Sequence, residues 1–441
     1  MVKNHDTVRV RVAPSPTGRA HIATARAALF NLIFARQHGG EFILRIEDTD
    51  RSRSTVEFEN DVMTQLTWLG LTWDKGPYRQ TARMELYKQR AAELEKRGLA
   101  YKKDSALYFT VDPAGPNVTF SDLVKGEVAF PRKEIPDFVI LRSDGTPIYN
   151  FAVVVDDIEM EISHVIRGED HLSNTPKQIL LFEALGATTP EFGHIPIILG
   201  PDGGKLSKRH GSVSIHEYRT QGYLPEAIVN FVALLGWSPS RGQAQDGDEI
   251  VDMKRMVEIF RLDAVAHHGA VFDTKKMEFL NGHYIRSMKL GDLAERLVEW
   301  YKYVGKKPPQ QNEQLLKILA TVQERMKRLD EFPELTKFYF AAPHYQPNLL
   351  IFKKSDREQT RKGLSKAHEV LGTLGSWSRD DIQGALEATV AKEGLGNGDV
   401  FWPVRVAVTG LESSPPPVDA LLVLGKDESL ERIEGALKLL K

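Results

Sequence analysis

A proline-rich loop leads into a histidine at the predicted start of a helix. Residues 13–18 read APSPTG and residues 21–24 read HIAT. Free backbone N–H groups and the helix dipole favour phosphate at a helix N-terminus, and the imidazole of His21 can donate to a phosphate oxygen. By itself the pattern is weak, because a histidine that opens a helix is more often an ordinary hydrogen-bonded polar group.

A cationic loop lies much further along the chain. Gly203 and Gly204 precede the sequence KLSKR at 205–209, so three cations surround one serine, Ser207. Such a loop can close over a triphosphate and neutralise the charge that builds up as pyrophosphate leaves. Taken alone, a solvated basic turn is the commoner explanation.

The elements that must position these segments begin with a βαβ unit. Residues 8–12 alternate Val with Arg, which is the period of a strand. A helix is predicted from about 21 to 38, where Gly39 and Gly40 end it, and a second strand is predicted at 42–46. This order predicts a parallel sheet with a right-handed crossover.

The rest of the chain divides by composition. Short β-rich runs separated by Pro and Gly fill 101–157, and helix and strand signals resume from 163 to about 235. Residues 238–249 are rich in Ser, Gly, Gln and Asp and predict a linker. Beyond them the pattern is mostly helical. One apolar stripe there consists of Leu315, Leu319, Val322, Met326 and Leu329.

The composition limits the classes of protein. The chain has 441 residues, 41% hydrophobic and 27% charged, with a formal net charge of −2. That fits several globular domains and does not by itself indicate a nucleic-acid partner. The chain contains no cysteine, which excludes disulfides, catalytic thiols and cysteine-based zinc sites. We expect a cytoplasmic protein, since no signal peptide or membrane-spanning pattern is present.

The two phosphate-binding candidates are far more specific together than apart. HIAT near the start with KLSKR at 205–209 resembles the two signatures of class I aminoacyl-tRNA synthetases. The loop APSPTG and the sequence RIEDTD at 45–50 narrow the resemblance to the glutamyl-tRNA synthetase family. The resemblance is clear to about residue 290. Its further runs are DGTPIYNF at 144–151, VVDD at 154–157, VIRGEDH at 165–171 and NGHYIR at 281–286.

The resemblance implies a ligase, a glutamate–tRNA ligase, that uses ATP to join L-glutamate to tRNA(Glu). The reaction would pass through glutamyl-adenylate and release AMP and pyrophosphate, with Mg²⁺ on the phosphates of ATP. By the same resemblance, His21, Lys205 and Lys208 are catalytic residues that contact those phosphates. The ATP site would also include Thr24 and Ser207.

The resemblance also implies a glutamate pocket. Arg11 and Arg167 would hold the side-chain carboxylate, with Ser15 and Tyr149 beside it, and Glu47 would take the ammonium. Both arginines end predicted strands, where open α/β sheets bind ligands. Two guanidiniums and one carboxylate complement a substrate that carries two carboxylates and one ammonium. The alternative is that Arg11 and Glu47 form a structural ion pair across adjacent strands.

Three features depart from the family pattern. The first signature normally carries glycine where Ala23 stands, and we expect its methyl to weaken ATP binding or to push the base outward. The insertion around 100–140 is short, so we expect reduced contacts with the acceptor arm. Some members carry a Cys/His zinc site there, and without cysteine we expect no protein-bound zinc.

The predicted fold class is α/β: a class I Rossmann-like nucleotide-binding catalytic domain with a small inserted α/β domain, then an all-helical anticodon-binding region. We place the catalytic halves at 1–100 and 146–237, the short acceptor-arm insertion at 101–145, a connecting stem-contact domain at 238–310 and the helical region at 311–441. Basic residues of the last region are candidates for tRNA phosphate contacts, with a solvated helix face as the equal alternative. They are Lys353, Lys354, Arg357, Arg361 and Lys362.

Two other functions stay open. A shorter relative glutamylates queuosine on tRNA(Asp), but such proteins lack an anticodon region like 311–441. A catalytically impaired tRNA-binding paralogue is favoured only by Ala23, and the intact His21, Lys205, Lys208 and Glu47 oppose it. Charging of tRNA(Gln) in addition to tRNA(Glu) is also open. The oligomeric state stays open, with a monomer as one candidate, and no membrane partner is expected.

Overall fold

The computed structural model describes residues 7–211, 213–239 and 249–441, apart from the side chain of Lys208. The chain forms two compact units. The first comprises the described residues up to Arg219 together with Tyr223–Leu280, and the second comprises Thr220–Gly222 and Asn281–Lys441. Most of the predicted linker at 238–249 lies outside the described residues.

The first unit begins with strands and helices in alternation. They are β1 (Arg9–Val12), α1 (Ile22–Gln37), β2 (Glu41–Ile46), α2 (Val56–Trp68), β3 (Lys75–Arg79) and α3 (Met84–Lys96). β1 pairs with β2, and β2 with β3, in parallel. The predicted βαβ unit is confirmed, and the C-terminal ends of β1 and β2 therefore share one edge.

Five short strands follow. They are β4 (Ala100–Lys103), β5 (Ala106–Phe109), β6 (Val118–Asp122), β7 (Gly126–Phe130) and β8 (Phe138–Leu141). β4, β5 and β8 form an antiparallel sheet of their own. β6 and β7 form a hairpin that belongs to another sheet. The interval 101–145 thus contributes to two different sheets.

The second half of the first unit completes the parallel layer. Its elements are α4 (Tyr149–Glu159), β9 (His164–Gly168), α5 (Thr175–Ala184), β10 (Glu191–Ile195), β11 (Ile198–Leu199), α6 (Ile215–Thr220), α7 (Pro225–Leu234), α8 (Met253–Ile259), β12 (Ala270–Val271) and α9 (Thr274–Ser287). The last residue of α6 and the part of α9 after Leu280 belong to the second unit. β10 lies between β9 and β6 and is parallel to both.

The two halves meet between β1 and β9. The N–H of Ser163 donates to the carbonyl of Arg9 at 2.9 Å. One apolar core surrounds α1 and α7, and a second lies around α4 and α5. Fully buried side chains such as Leu29 and Phe151 contribute about 1.5–3 kcal/mol each. This packing fixes the C-terminal ends of β1, β2, β9 and β10 along one edge.

The second unit is built from helices. They are α10 (Leu290–Tyr303), α11 (Glu313–Val322), α12 (Phe332–Thr336), α13 (Arg357–Thr373), α14 (Arg379–Glu393), α15 (Asn397–Thr409), α16 (Pro417–Leu424) and α17 (Lys426–Leu439). Every residue of the predicted stripe from Leu315 to Leu329 is buried. The predicted fold class is confirmed. Across the described ranges, we find no helix with the length and apolar character that crossing a bilayer requires.

Candidate active site

An open cavity of about 470 Å³ lies at the edge where β1, β2, β9 and β10 end. Most of the residues expected to bind substrates line it, and these are Arg11, Ser15, His21, Thr24, Glu47, Tyr149, Arg167 and Lys205. Ser207 lies further along its loop, where its N–H donates to Nδ1 of His210 at 3.1 Å. The side chain of Lys208 is outside the described residues.

Arg167, at the end of β9, is prepared for an anionic ligand. Its Nε–H donates to Nε2 of His194 (3.1 Å), and its Nη2 donates to Oγ1 of Thr175 (2.9 Å). Both partners are neutral, and the buried Nη1 has no hydrogen-bond partner in the part of the chain that the structure describes. Burial lowers the pKa of Arg167 to about 10, so the guanidinium is charged at neutral pH. A carboxylate would satisfy both the charge and the donor.

Arg11 and Arg45 share one carboxylate. Arg11 donates through Nε and Nη2 to the two oxygens of Asp157 (3.2 and 3.3 Å), and Nη1 of Arg45 donates to Oδ1 of Asp157 (2.6 Å). Nη2 of Arg45 donates to Oε1 of Glu47 (3.2 Å). Within the described chain, Arg11 therefore pairs with Asp157 and Glu47 with Arg45, rather than with each other.

Burial and charge compete in this network. Burial alone would raise the pKa of Asp157, but Arg11 and Arg45 outweigh it and hold that pKa below its usual value. For Glu47 burial prevails, so its pKa is raised despite the nearby Arg45 and Arg11. A second cation at Glu47, such as a substrate ammonium, would offset this cost of burying the carboxylate.

Tyr149 and His171 are two uncharged residues near the charged side chains of Arg167 and Glu47. The hydroxyl of Tyr149, in the first turn of α4, lies 3.0 Å from Nδ1 of His171. Burial raises the pKa of Tyr149 to about 12, with Glu47 adding to the shift. Burial and the charge of Arg167 lower the pKa of His171 to about 4. Both groups are thus neutral at pH 7 and can orient a ligand without adding charge.

His21 caps the N-terminus of α1. Its Nδ1 accepts a hydrogen bond from the N–H of Ala23 at 3.1 Å. Burial, with the charge of Lys205, lowers the pKa of His21 and keeps the ring neutral. Because Nδ1 is an acceptor, the ring proton is on Nε2, which can donate to an oxygen of a phosphate at the helix N-terminus.

Backbone pairing brings the two signature segments together. The N–H of Ile22 donates to the carbonyl of Val213 (3.0 Å), and the N–H of Ile215 donates to the carbonyl of Ala20 (2.9 Å). The chain that leaves the KLSKR loop is thereby fixed against the residues that open α1. This local ladder is the physical reason that segments so far apart in sequence reach one cavity.

The KLSKR loop is carried on a small hairpin. The N–H of Leu206 donates to the carbonyl of Ile198 (2.8 Å) at its base. Lys205 reaches Oδ2 of Asp170 at 3.0 Å, an ion pair with both side chains about half exposed or more. An exposed pair of this kind is worth about 0–1 kcal/mol. Lys205 can therefore exchange Asp170 for a phosphate at little cost.

Ala23 occupies the position that is glycine in the family signature. It is exposed, and it lines the cavity next to His21 and Thr24. The expected effect of its methyl on ATP binding stays a prediction.

Several residues of this site carried no predicted role. Asp157, Arg45, His171, His194 and Asp122 are the main ones, and each contacts a predicted site residue or the partner of one. The runs VVDD and VIRGEDH contained Asp157 and His171 but gave no role for them. Their polar side chains were the only available signal, and that signal does not identify the contact.

The chain is similar to known proteins over nearly its whole length. The family described as "tRNA synthetases class I (E and Q), catalytic domain" matches residues 7–107 and 103–279, and "Anticodon binding domain" matches residues 292–437. The chain is 40% identical to glutamate–tRNA ligase of Carboxydothermus hydrogenoformans, covering 97% of this chain and 99% of the relative. It is 41% identical to that of Thermodesulfovibrio yellowstonii, covering 98% and 99%.

Solved structures of glutamate–tRNA ligases are also similar to this chain. A glutamate tRNA ligase from Elizabethkingia meningosepticum, in complex with its amino acid, superposes with a TM-score of 0.83 at 30% identity, covering 99% of this chain and 100% of that one. The fold and the paired signature segments define a class I aminoacyl-tRNA synthetase. Within that class, the chain belongs to the glutamyl-tRNA synthetase family.

Proposed function

We propose that this protein ligates L-glutamate to tRNA(Glu) at the expense of ATP, through glutamyl-adenylate, with release of AMP and pyrophosphate. One observation carries the proposal. A single cavity combines Arg167, a buried cation with a spare donor, with the neutral His21 at a helix N-terminus and with Lys205, whose only ion pair is an exposed one in the described structure. The first group suits an amino acid with a second carboxylate, and the other two suit a triphosphate.

The part of the cavity that would bind the amino acid selects glutamate by its charge. Arg167 would bind the side-chain carboxylate through its free Nη1, and the donors of Arg11 that Asp157 does not use would support it. Glu47 would accept the ammonium. Glutamine has nearly the same shape, but its amide would leave guanidinium charge unpaired and oppose donor to donor. A polar misfit of this type can discriminate by about 10⁴.

Activation would be an in-line displacement. An oxygen of the α-carboxylate attacks the α-phosphorus, the bond to the bridging oxygen breaks, and pyrophosphate leaves with its electron pair. Nε2–H of His21 would donate to a phosphate oxygen, and Lys205 and Lys208 would neutralise the leaving group. In the second step a terminal ribose hydroxyl of tRNA takes the glutamyl group and AMP leaves. No covalent bond to the protein is required.

Magnesium would come with the nucleotide. Its chemistry is to neutralise and orient the phosphates of ATP. Among the described residues, no group of three or more His, Asp or Glu side chains has a metal-binding arrangement. The phosphates of ATP would bring Mg²⁺ into the site, and His21 and Lys205 would position those phosphates.

The helical unit would bind the anticodon arm. The alternative of queuosine glutamylation is disfavoured, because residues 292–437 match an anticodon-binding domain. Among the candidate basic residues, Arg357 donates to the carbonyl of Lys441 (3.1 Å) and Lys362 to that of Glu393 (3.0 Å). Lys353, Lys354 and Arg361 are exposed and are the better candidates for phosphate contacts.

Exchange of pyrophosphate into ATP tests this function. With glutamate, ATP and tRNA(Glu), we expect rapid exchange by the wild type and by Arg36→Ala, a change at the opposite end of α1. His21→Ala should be slow. Glutamate-independent exchange, or none in the wild type with tRNA(Glu), would refute the proposal. Charging of tRNA(Asp) in preference to tRNA(Glu) would support the queuosine alternative instead.

A further inference from the structure

We propose that Asp122, acting through His194, positions Arg167 for the carboxylate of glutamate; the inference rests on the proposed function. Oδ2 of Asp122 lies 2.6 Å from Nδ1 of His194, and Nε2 of His194 accepts from Nε–H of Arg167 at 3.1 Å. Neither Asp122 nor His194 lines the cavity, and His194 contacts Arg167, which does, so both are positioning residues rather than catalytic residues.

The contacts fix which ring nitrogen of His194 carries the proton. An arginine has only N–H donors, so Nε2 of His194 must be an acceptor toward Arg167. The ring proton is then on Nδ1 and is donated to Asp122. Burial lowers the pKa of His194, while its hydrogen bond holds the pKa of Asp122 low, and both effects agree with a neutral ring against a carboxylate.

Thr175 completes the support. Its Oγ1 is 2.9 Å from Nη2 of Arg167 and 3.1 Å from Nε2 of His194. The side chains of Asp122 and His194 are fully buried, and those of Thr175 and Arg167 nearly so. Two nitrogens of Arg167 are thereby fixed from behind, which leaves the unpartnered Nη1 as the donor for a ligand.

Asp122 has no freedom to turn. Its Oδ1 accepts the N–H groups of Val124 (2.9 Å), Lys125 (2.9 Å) and His194 (3.1 Å). In Asp122→Asn the carbonyl oxygen must remain toward those three donors, because the opposite orientation would bury them against an amide N–H. The new NH₂ group then faces Nδ1 of His194. Because the NH₂ group is a donor, Nδ1 must be unprotonated to accept its hydrogen bond.

The Asp122→Asn substitution should therefore switch the tautomer of His194. His194 would move its proton to Nε2, which would place N–H against the N–H of Arg167. Asp122 ends β6, in the hairpin that the short inserted segment adds to the parallel sheet. The inserted segment would thus control the amino-acid site in addition to any contact with tRNA.

Aminoacylation kinetics and ¹⁵N spectra of histidine test the proposal. We expect Asp122→Asn to raise KM for glutamate by roughly 10- to 100-fold, the loss of one hydrogen bond to a charged group, with KM for ATP unchanged. Thr175→Val should raise the same KM. The ¹⁵N shifts of His194, assigned with His194→Gln, should report Nδ1–H in the wild type and Nε2–H in Asp122→Asn.

Asp112→Asn is the matched control. Asp112 lies in the same inserted segment, is exposed, and also accepts a backbone N–H, that of Ala114 at 3.0 Å; its substitution should leave KM for glutamate unchanged. An unchanged KM for glutamate in Asp122→Asn, or an Nε2–H proton on His194 in the wild type, would overturn the inference. A wild type that does not activate glutamate would instead refute the proposed function, whatever the tautomer of His194.

Discussion

Arg167→Ala should separate glutamate recognition from the rest of catalysis. Arg167 is 6% exposed, the side chains that its guanidinium contacts are neutral, and its Nη1 is free for a ligand in the described structure. The effect of Arg11→Ala would be harder to interpret, because the buried Asp157 would keep Arg45 as its only arginine partner among these contacts. Loss of one member of a buried ion pair can cost about 3–5 kcal/mol of stability.

The magnitude follows from the contacts that disappear. A carboxylate held by Arg167 would receive up to two charge-assisted hydrogen bonds, each worth about 1.5–3 kcal/mol. Since each 1.4 kcal/mol is a factor of ten, kcat/KM for glutamate should fall by about 10²–10⁴. KM for ATP should change little, because His21 and Lys205 carry the predicted phosphate contacts.

Steady-state aminoacylation of tRNA(Glu), with each substrate varied in turn, measures both quantities. Arg167→Lys should recover only part of the loss, since a point charge cannot reproduce the planar fork that holds His194 and Thr175. Arg36→Ala, which removes an exposed arginine paired with Asp74, controls for the loss of a positive charge. Retention of full kcat/KM for glutamate by Arg167→Ala would refute this assignment of the pocket.

Three further outcomes are expected. Ala23→Gly should lower KM for ATP and leave KM for glutamate nearly unchanged, because Ala23 lines the cavity beside His21 and Thr24, where we propose that ATP binds; an equal or higher KM for ATP would show that the site has adapted to alanine. Lys208→Ala, and to a smaller extent Lys205→Ala, should slow adenylate formation in single-turnover assays by about 10²–10³ while weakening ATP binding much less, because charge on pyrophosphate grows toward the transition state; an effect on ATP KM alone would contradict this. Treatment with a zinc-selective chelator followed by excess Mg²⁺ should leave full activity, since the chain has no cysteine; a loss that only zinc reverses would reveal a site built from His and carboxylates.

Local patterns predicted the framework well. The Val–Arg alternation at 8–12, the helix from His21 and the strand at 42–46 correspond to β1, α1 and β2, because each depends on neighbours in sequence. The apolar stripe from Leu315 to Leu329 is buried as its spacing indicated. Such elements can be predicted from periodicity and stop signals alone.

Long-range pairing could not be predicted in the same way. β6 pairs with β10, although no local sequence pattern links these two segments. This pairing brings Asp122 next to His194. The partner of Arg11 was also hidden, since Asp157 comes from α4 and not from the adjacent strand. The ion-pair partner of a charged side chain depends on the three-dimensional fold, whereas the sequence gives only the type of each side chain.

Charging of tRNA(Glu) with labelled glutamate and, separately, with labelled glutamine tests the central claim most directly. That claim is that a buried, unsatisfied arginine donor selects the negatively charged amino acid. The wild type should charge glutamate rapidly, with a kcat/KM for glutamine lower by about 10⁴ or more. Comparable charging with glutamine, or no charging with glutamate, would contradict it.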